Sequence, residues 1–153
     1  MKIELIPVTR DNWEDCLNLK VSTEQNRFVP SAAVSLAKPY IKPDGDLVEY
    51  LPFAIYDGET MVGFIMHAFE KQTVDMYWIN GFFIDEQHQG KGYGKAALAE
   101  MIRWIAAHSP QAREVRLTVY PENQRARSLY LNFGFKLTGD FHGEEEVLVF
   151  PLS

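Results

Sequence analysis

The chain has 153 residues, of which 46% are hydrophobic and 13% aromatic, enough to fill the core of one compact domain. Its 15 basic and 21 acidic residues give a formal net charge of −6, which disfavours nucleic-acid binding unless basic residues gather on one face. The single cysteine, Cys16, excludes an internal disulfide framework, and the four scattered histidines offer no zinc-binding spacing. We therefore expect one domain over residues 1–153, with no metal ion and no nucleic-acid partner.

The N-terminal segment contains no long apolar stretch, and no run in the chain approaches the roughly 20 apolar residues that cross a bilayer. A cytoplasmic protein that does not engage membranes is therefore expected. The sequence leaves the assembly open, with a homodimer among the alternatives.

The first half of the chain alternates strand-like and helix-like segments. The patterns predict a strand over 2–8, a helix after Thr9 with Trp13, Cys16 and Leu17 pointing inward, a helix over 31–38 ending before Pro39, a loop over 40–49, and strands over 50–56, 61–70 and 74–84. The pair Asp57-Gly58 is typical of a tight turn between the first two of those three strands. Cys16 is predicted to be a small core residue, because no activating histidine or basic residue lies near it in the sequence.

The second half of the chain contains a crossover. A helix begins in the glycine-rich stretch 89–95, and a half-buried strand over 114–120 follows it, which predicts a right-handed parallel connection. Asn123 is predicted to cap a last helix that ends at Gly134, and strands over 136–140 and 146–152 close the chain. The predicted fold class is mixed α/β: a mostly antiparallel central sheet with one parallel β-α-β crossover, flanked by about four helices.

The strongest chemical signal lies between the strand over 74–84 and the following helix. There the chain reads Gln89-Gly90-Lys91-Gly92-Tyr93-Gly94-Lys95. Three glycines at alternate positions let main-chain N–H groups approach one anion, and the start of the helix adds the positive end of its dipole. The letters fit neither a Walker A loop, which needs Ser or Thr where the chain has Ala96, nor a dinucleotide fingerprint, which needs glycine at position 95. A phosphorylated cofactor is predicted; the alternative is an ordinary surface turn.

Three features, in this order, resemble the GNAT family of N-acetyltransferases. They are Gln89-x-x-Gly92-x-Gly94 after a strand, a next strand ending near Val119, and Asn123-x-x-Ala126-x-x-Leu129-Tyr130-x-x-x-Gly134-Phe135. With the early hairpin and the closing strands, the resemblance covers nearly the whole chain. Further stretches, among them Asn12-Trp13-Glu14, Cys16-Leu17-Asn18-Leu19-Lys20 and Ser35-Leu36-Ala37, resemble the bacterial spermine/spermidine acetyltransferases within that family.

This resemblance implies a GNAT-like fold and acetyl-CoA as the acetyl donor. It implies that main-chain N–H groups of residues 89–95 bind the pyrophosphate, that main-chain groups of Phe83 and Ile84 hold the pantetheine arm between splayed strands, and that Asn123 makes a second contact. The candidates for neutralising the 3′-phosphate are four cations, among which the sequence does not choose: Lys91, Lys95, Arg125 and Arg127.

Tyr130 matches the family's general acid. A tyrosine with an unperturbed pKa of about 10 keeps its proton at neutral pH and can give it to a departing thiolate. The alternative is that Tyr130 is one more core aromatic residue, three positions before Phe133.

The implied reaction is direct attack of a primary amine on acetyl-CoA, with a polyamine such as spermidine or spermine as the first hypothesis for the acceptor. Acidic residues over 44–49, or Glu24, would pair with the distal ammonium groups. An alkylammonium has a pKa of about 10.4 and must lose a proton before it attacks, so a base is needed. The candidates are Asp75, Glu24, or a water molecule held by Asn80 or Tyr77, of which we favour the water.

Two alternatives to a polyamine acetyltransferase stay open at this point. One is an acetyltransferase for another amine, such as an aminoglycoside, an amino acid or a protein N-terminus. The other is a non-catalytic module that binds acetyl-CoA as a sensor.

Overall fold

A seven-stranded mixed sheet organises the chain in the computed structural model, which describes residues 1–152. The strands are β1 (Ile3–Pro7), β2 (Val48–Asp57), β3 (Thr60–Glu70), β4 (Tyr77–Ile84), β5 (Glu114–Val119), β6 (Lys136–His142) and β7 (Glu145–Pro151). The helices are α1 (Trp13–Leu17), α2 (Ala32–Ile41), α3 (Tyr93–His108) and α4 (Gln124–Phe133), with short 3₁₀ turns at Thr23–Gln25 and Glu86–His88. Within residues 1–152, no helix has the length and apolar character needed to cross a bilayer.

The sheet has the order β1-β2-β3-β4-β5-β7-β6. Strands β4 and β5, joined through α3, are parallel, and the other neighbouring pairs are antiparallel. The predicted fold class, a mostly antiparallel sheet with one parallel crossover and four helices, is confirmed.

Each face of the sheet has its own hydrophobic core, because side chains alternate between the two faces along a strand. On one face α3 packs Leu98 and Met101 against strand residues that include Tyr77. On the other face α1 and α2 contribute Cys16 and Ala32 to a cluster with Phe64, Met66 and Phe83. Burial raises the pKa of the Cys16 thiol to about 11, so this side chain stays a protonated thiol in the core at neutral pH.

Two local predictions about the first helices are wrong. Helix α2 does not end before Pro39 but continues to Ile41, where Lys42 in a left-handed conformation donates its N–H to Lys38 O at 2.7 Å. Helix α1 has only five residues, so one turn cannot bury a three-residue stripe: Trp13 and Leu17 are 45% and 40% exposed, whereas Cys16 is fully buried. In a helix of a single turn, the elements packed around it decide which side chains are buried, and the spacing of apolar residues does not show these elements.

Strands β4 and β5 separate soon after they meet. They are in register only at Trp78 and Arg116, although both continue for several residues beyond this pair. The register between β3 and β4 shifts in the same region, and Gly81 occupies the irregularity with a φ of +61°. The bulge bends β4, which leaves a gap between its end and the end of β5.

Candidate active site

A cavity of about 260 Å³ opens where β4 and β5 separate. The end of β4, the glycine loop, the start of α3, the end of β5 and one side of α4 form its walls, and the turn at Thr23–Gln25 lies against it. The predicted site residues that line it are Phe83, Ile84, Gln89, Gly90, Gly92, Tyr93, Gly94, Lys95, Asn123 and Tyr130. Lys91 is exposed on the loop and does not line the cavity. The structure thus brings together all but one of the predicted residues.

The glycine loop has the backbone shape expected of an anion-binding turn. Gly90 and Gly92 have φ angles of +79° and +86°, in the left-handed region where a side chain would introduce strain. Gly92 is the N-cap residue of α3, and no side chain in the described chain caps this helix. The N–H groups of the first turn of α3 therefore remain available beside the positive end of the helix dipole. This arrangement fits a diphosphate.

Gly94 has a different role from the two loop glycines. It lies inside α3, and a Cβ atom there would come within 3.0 Å of Leu129 Cδ2 on α4. The missing side chain lets α3 and α4 approach each other beside the cavity.

The Gln89 side chain connects three parts of the cavity wall. Its Nε2 donates to Ile84 O at 2.9 Å on β4 and to Gln25 Oε1 at 3.0 Å on the 3₁₀ turn. Its Oε1 accepts from Arg125 Nη1 at 3.1 Å on α4. The loop is therefore fixed from three directions by a single side chain.

The main chain at the end of β4 divides its hydrogen-bonding groups between β3 and the gap. Phe83 pairs with Phe64 of β3, and Asp85 donates its N–H to Val62 O at 2.8 Å. Because main-chain groups alternate in direction along a strand, those of Ile84 face the gap, where Ile84 O accepts from Gln89 Nε2. The main-chain groups of Phe83 point toward β3 instead, unlike the expectation that they hold the pantetheine arm.

The four candidate cations are placed differently. Arg127 is half-buried and its Nε lies 2.7 Å from Glu146 Oε1 on β7, a contact that raises the pKa of Arg127. Arg125 and Lys95 are exposed and border the cavity. Arg127 is therefore engaged within the fold, whereas Arg125 lies beside the glycine loop.

Tyr130 reaches the cavity from α4 and is only 7% exposed. Its ring centroid lies 6.3 Å from that of Phe82 and 5.9 Å from that of Phe135. Burial raises the pKa of Tyr130, and the negative charge of Glu145 raises it further. The hydroxyl therefore keeps its proton at neutral pH and well above it.

Asn123 occupies the N-cap position of α4, but its side chain makes no capping hydrogen bond, contrary to the sequence-based expectation. With φ near −80° and ψ near 69°, its backbone departs from the extended conformation in which a capping side chain usually reaches back to the helix. The side chain of Asn123 is thus not used by the helix and borders the cavity instead.

The sequence analysis missed a polar pair next to Tyr130. Thr118 lines the cavity, and its Oγ1 donates to Glu145 Oε1 at 3.2 Å. Burial raises the pKa of Glu145, while the bond from Thr118 and the electrostatic effects of His142 and Lys38 act in the opposite direction. In the sequence Glu145 stands in an acidic run, 144–146, that is typical of a solvated surface. The signal that could have found it is alternation along β7, which places Glu145 on the same face as the buried Val147.

The earlier base candidates are spread over the molecule. Asp75 is exposed in the connection between β3 and β4, and Glu24 is exposed on the 3₁₀ turn beside the cavity. The Tyr77 hydroxyl is used within the fold, since it donates to Thr73 O at 2.8 Å and accepts from Gln111 Nε2 at 2.7 Å. Asn80 is half-buried on β4.

Comparison with known proteins places this site in a family. Residues 13–135 match the model of the Acetyltransferase (GNAT) family. The chain belongs to the GNAT family. It is 33% identical over 152 residues to the spermine/spermidine N(1)-acetyltransferase of Bacillus subtilis (strain 168), with 95% of this chain and 96% of that protein covered. As a GNAT enzyme, the chain is an acetyl-CoA-dependent N-acetyltransferase, as the sequence predicted.

Solved structures confirm the GNAT fold. The spermidine N-acetyltransferase from Vibrio cholerae, in complex with CoA and spermine, has a TM-score of 0.71 at 16% identity, covering 99% of this chain and 95% of that one. AAC(6')-Ib in complex with ribostamycin and coenzyme A has a TM-score of 0.77 at 14% identity, covering 99% of this chain and 94% of that one. At such identities the likeness concerns the fold, and the acceptor must be argued separately.

Proposed function

We propose that this GNAT enzyme acetylates a primary amine of a polyamine, with spermidine and spermine as the acceptors. The observation that carries the proposal is the 33% identity to the Bacillus subtilis spermine/spermidine enzyme over nearly the full length of both chains. The net charge of −6 is consistent with a cationic substrate.

In this proposal the glycine loop and the gap between β4 and β5 hold the donor. The N–H groups of residues 89–95 bind the pyrophosphate, and the N–H group of Ile84 faces the pantetheine arm, since Ile84 O already accepts from Gln89. Phe83 lies on the cavity wall beside the proposed position of the donor. Asn123 also lines the cavity, and its side-chain amide makes no capping hydrogen bond to α4. When bound, acetyl-CoA supplies the thioester that the amine attacks.

Tyr130 is the proposed proton donor to the leaving thiolate. Tyr130 lines the cavity, and its raised pKa means that the hydroxyl still carries its proton at neutral pH. The proton is therefore available for transfer to sulfur as the bond between sulfur and the acetyl carbon breaks. The buried ring is held by Phe82 and Phe135, which fixes the direction of the hydroxyl.

Acidic side chains near the cavity are the proposed partners of the distal ammonium groups. Two of the acids predicted to bind the ammonium groups already have partners in the fold. Asp44 accepts a hydrogen bond from the Tyr50 hydroxyl, and Glu49 Oε2 lies 3.5 Å from Lys71 Nζ. Glu24 lies on the turn whose next residue, Gln25, lines the cavity. We therefore expect Glu24 to contribute more to polyamine affinity than Asp44 or Glu49.

The decisive experiment is an acceptor panel on the purified chain. Release of coenzyme A thiol is measured with spermidine, spermine, ribostamycin, a short peptide and a free amino acid, and the products are identified by mass spectrometry. The expected result is a kcat/KM for the polyamines at least tenfold above that for any other acceptor, with an acetylated polyamine as product. A preference for the aminoglycoside or the peptide would overturn the polyamine assignment, and tight acetyl-CoA binding without turnover of any amine would favour a sensor.

A further inference from the structure

Thr118 links the cavity to a half-buried carboxylate that the donor-binding machinery does not use. It stands on β5 two residues beyond Arg116, where β4 and β5 are in register, and it lines the cavity together with Tyr130. Its hydroxyl donates to Glu145 Oε1 at 3.2 Å. We propose that Thr118 and Glu145 form the relay that removes a proton from the acceptor's ammonium group before it attacks. The inference rests on the proposed function, because it concerns an amine acceptor in this same cavity.

The geometry of the pair suits a relay. A hydroxyl has one hydrogen to donate and two lone pairs with which to accept. Since Thr118 gives its hydrogen to Glu145, its lone pairs remain free for an N–H group of a ligand in the cavity. An ammonium group there can donate to Thr118 Oγ1 while Glu145 accepts from the same oxygen, which aligns the three groups in one chain.

The surroundings of Glu145 raise its pKa, which makes it more basic than a surface glutamate. The charged and titratable groups that act on it are Lys38 on α2, His142 on β6 and Tyr130 on α4. Lys38 and His142 stabilise the carboxylate, and burial, the largest effect, raises its pKa. The hairpin that carries Glu145 is held near β4 because His142 stacks on Trp78, with ring centroids 5.3 Å apart.

An N–H bond of the ammonium group breaks and its proton moves to Thr118 Oγ1, while the hydrogen already on that oxygen moves to Glu145 Oε1. The products are a neutral amine, an unchanged threonine and a protonated Glu145. As the amine forms its bond to the acetyl carbon and the bond to sulfur breaks, Tyr130 gives a proton to sulfur and is reprotonated by the second proton that nitrogen loses. Glu145 then releases its proton to solvent.

Strand β4 contains no carboxylate that could act as the base. Tyr77, one of the candidates for holding a catalytic water on that strand, has both hydrogen-bonding functions of its hydroxyl occupied within the fold. The carboxylate is supplied instead from β7, two strands away in the sheet order, through a threonine on the intervening strand.

The test compares Glu145→Gln and Thr118→Val with two matched controls. Glu144→Gln removes the same charge from the neighbouring exposed position, and Thr118→Ser keeps the hydroxyl. The acceptor is whichever primary amine the wild-type chain acetylates best in the panel, so a wrong polyamine assignment is seen with the wild type and does not affect the comparison. We expect Glu145→Gln and Thr118→Val to lower kcat at pH 7 by at least tenfold, with the acetyl-CoA Kd from calorimetry unchanged. Glu144→Gln should stay within threefold of the wild type, and Thr118→Ser should recover most of the kcat that Thr118→Val loses.

The pH profile separates a relay from a structural role. Neutral acceptor amine becomes abundant as the pH approaches about 10. The difference in kcat between the wild type and the two relay variants, Glu145→Gln and Thr118→Val, should therefore shrink as the pH rises. A constant deficit at all pH values, or wild-type kcat at pH 7 in both relay variants, would overturn the relay. If Glu145→Gln does not fold, the comparison of Thr118→Ser with Thr118→Val tests the relay by itself, because serine keeps the hydroxyl and valine removes it.

Discussion

Arg125 Nη1 donates to Gln89 Oε1 at 3.1 Å, which joins the first turn of α4 to the glycine loop. A Cβ atom built on Gly90 would lie 3.7 Å from another nitrogen of the same guanidinium. The exposed guanidinium therefore lies over the part of the loop where phosphate oxygens are proposed to bind. Arg127, two residues further along α4, is instead engaged by Glu146.

This difference predicts that Arg125 contributes to acetyl-CoA binding and Arg127 does not. Arg125→Gln should weaken acetyl-CoA binding by roughly tenfold, as expected for one lost hydrogen bond to a charged group. Calorimetry with coenzyme A and with 3′-dephospho-coenzyme A measures the effect. If Arg125→Gln weakens binding of coenzyme A but not of the dephospho ligand, the arginine contacts the 3′-phosphate. If it weakens binding of both ligands, the arginine contacts the pyrophosphate.

Arg127→Gln is the matched control for that experiment. It should leave the Kd unchanged and lower the free energy of unfolding instead, because Glu146 loses its partner. Equal Kd values for wild type and Arg125→Gln would show that the guanidinium does not contact the donor.

Tyr130→Phe tests the proton donor directly. Phenylalanine keeps the buried ring between Phe82 and Phe135 and removes the hydroxyl. We expect kcat to fall by about a hundredfold, the lower end for general acid catalysis, with the acetyl-CoA Kd unchanged. Wild-type activity should not decline from ionisation of Tyr130 below pH 10, since burial raises its pKa. Undiminished kcat in Tyr130→Phe would show that the thiolate takes its proton from elsewhere.

The elements of the fold were predictable because their signals are local. Alternation identified the strands, the Asp57-Gly58 pair identified the first hairpin, and the spacing of apolar residues identified α3. The glycine loop and the motif around Tyr130 were likewise contained in continuous stretches. In the structure these two stretches lie on the walls of one cavity.

The remaining parts depend on pairings between distant segments. Whether Glu145 faces solvent or Thr118 is decided by the register of β5 against β7, in which Thr118 lies opposite Val147. The continuation of α2 through Pro39 depends on closure of its last turn at Lys42. Alternation along β7 indicates which face carries Glu145, but it does not identify Thr118 as its partner, and the usual effect of a proline does not predict that α2 continues, because the surrounding structure overrides local preference.

His67 makes stability depend on pH. It is fully buried on β3, its Nδ1 lies 2.9 Å from Trp78 O, and its Nε2 has no partner among residues 1–152. Burial lowers its pKa from 6.5 to about 4, so the folded state holds the neutral ring. Between these values the unfolded chain binds more protons than the folded one, and stability therefore falls as the pH falls from 6.5 to 4. This residue accounts for a loss of about 3 kcal/mol over that range.

Urea unfolding of the wild type and His67→Asn at pH 7 and pH 4.5 measures this contribution. The variant loses ring packing at every pH, so the quantity to compare is the change in the free energy of unfolding between the two pH values. That change should be smaller in His67→Asn than in the wild type, whereas His108→Asn, which alters an exposed histidine, should behave like the wild type. Identical pH dependence in all three chains would mean that His67 does not carry the effect.

The bulge in β4 depends on contact between Gly81 and α2. A Cβ atom at Gly81 would lie 2.5 Å from Ser35 Oγ and 3.4 Å from Phe64 Cε2, and the residue has a φ of +61°. Gly58 is a matched control, because its φ is +59° and a Cβ atom there would meet nothing within 4 Å. Gly58→Ala should therefore lower the free energy of unfolding by about 1 kcal/mol, through the strain of a left-handed alanine alone. Gly81→Ala should lower it by at least about 1 kcal/mol more, because of the added steric contact.

Ser35→Ala separates the two contributions at the bulge. The Ser35 hydroxyl is buried and, among the residues described, has no hydrogen-bond partner, so removing it alone should cost little stability or increase it. In the double variant Ser35→Ala/Gly81→Ala the 2.5 Å contact is gone, and the nearest atom of residue 35 to the new methyl group is a Cβ at 3.4 Å. Urea unfolding is measured for the wild type, Ser35→Ala, Gly81→Ala and the double variant. The double variant should be more stable than the sum of the two single effects predicts, by most of the free energy that Gly81→Ala costs beyond Gly58→Ala. Additive effects would instead mean that the cost at Gly81 comes from the backbone of β4, and that α2 docks on the bulge without depending on the space the glycine leaves.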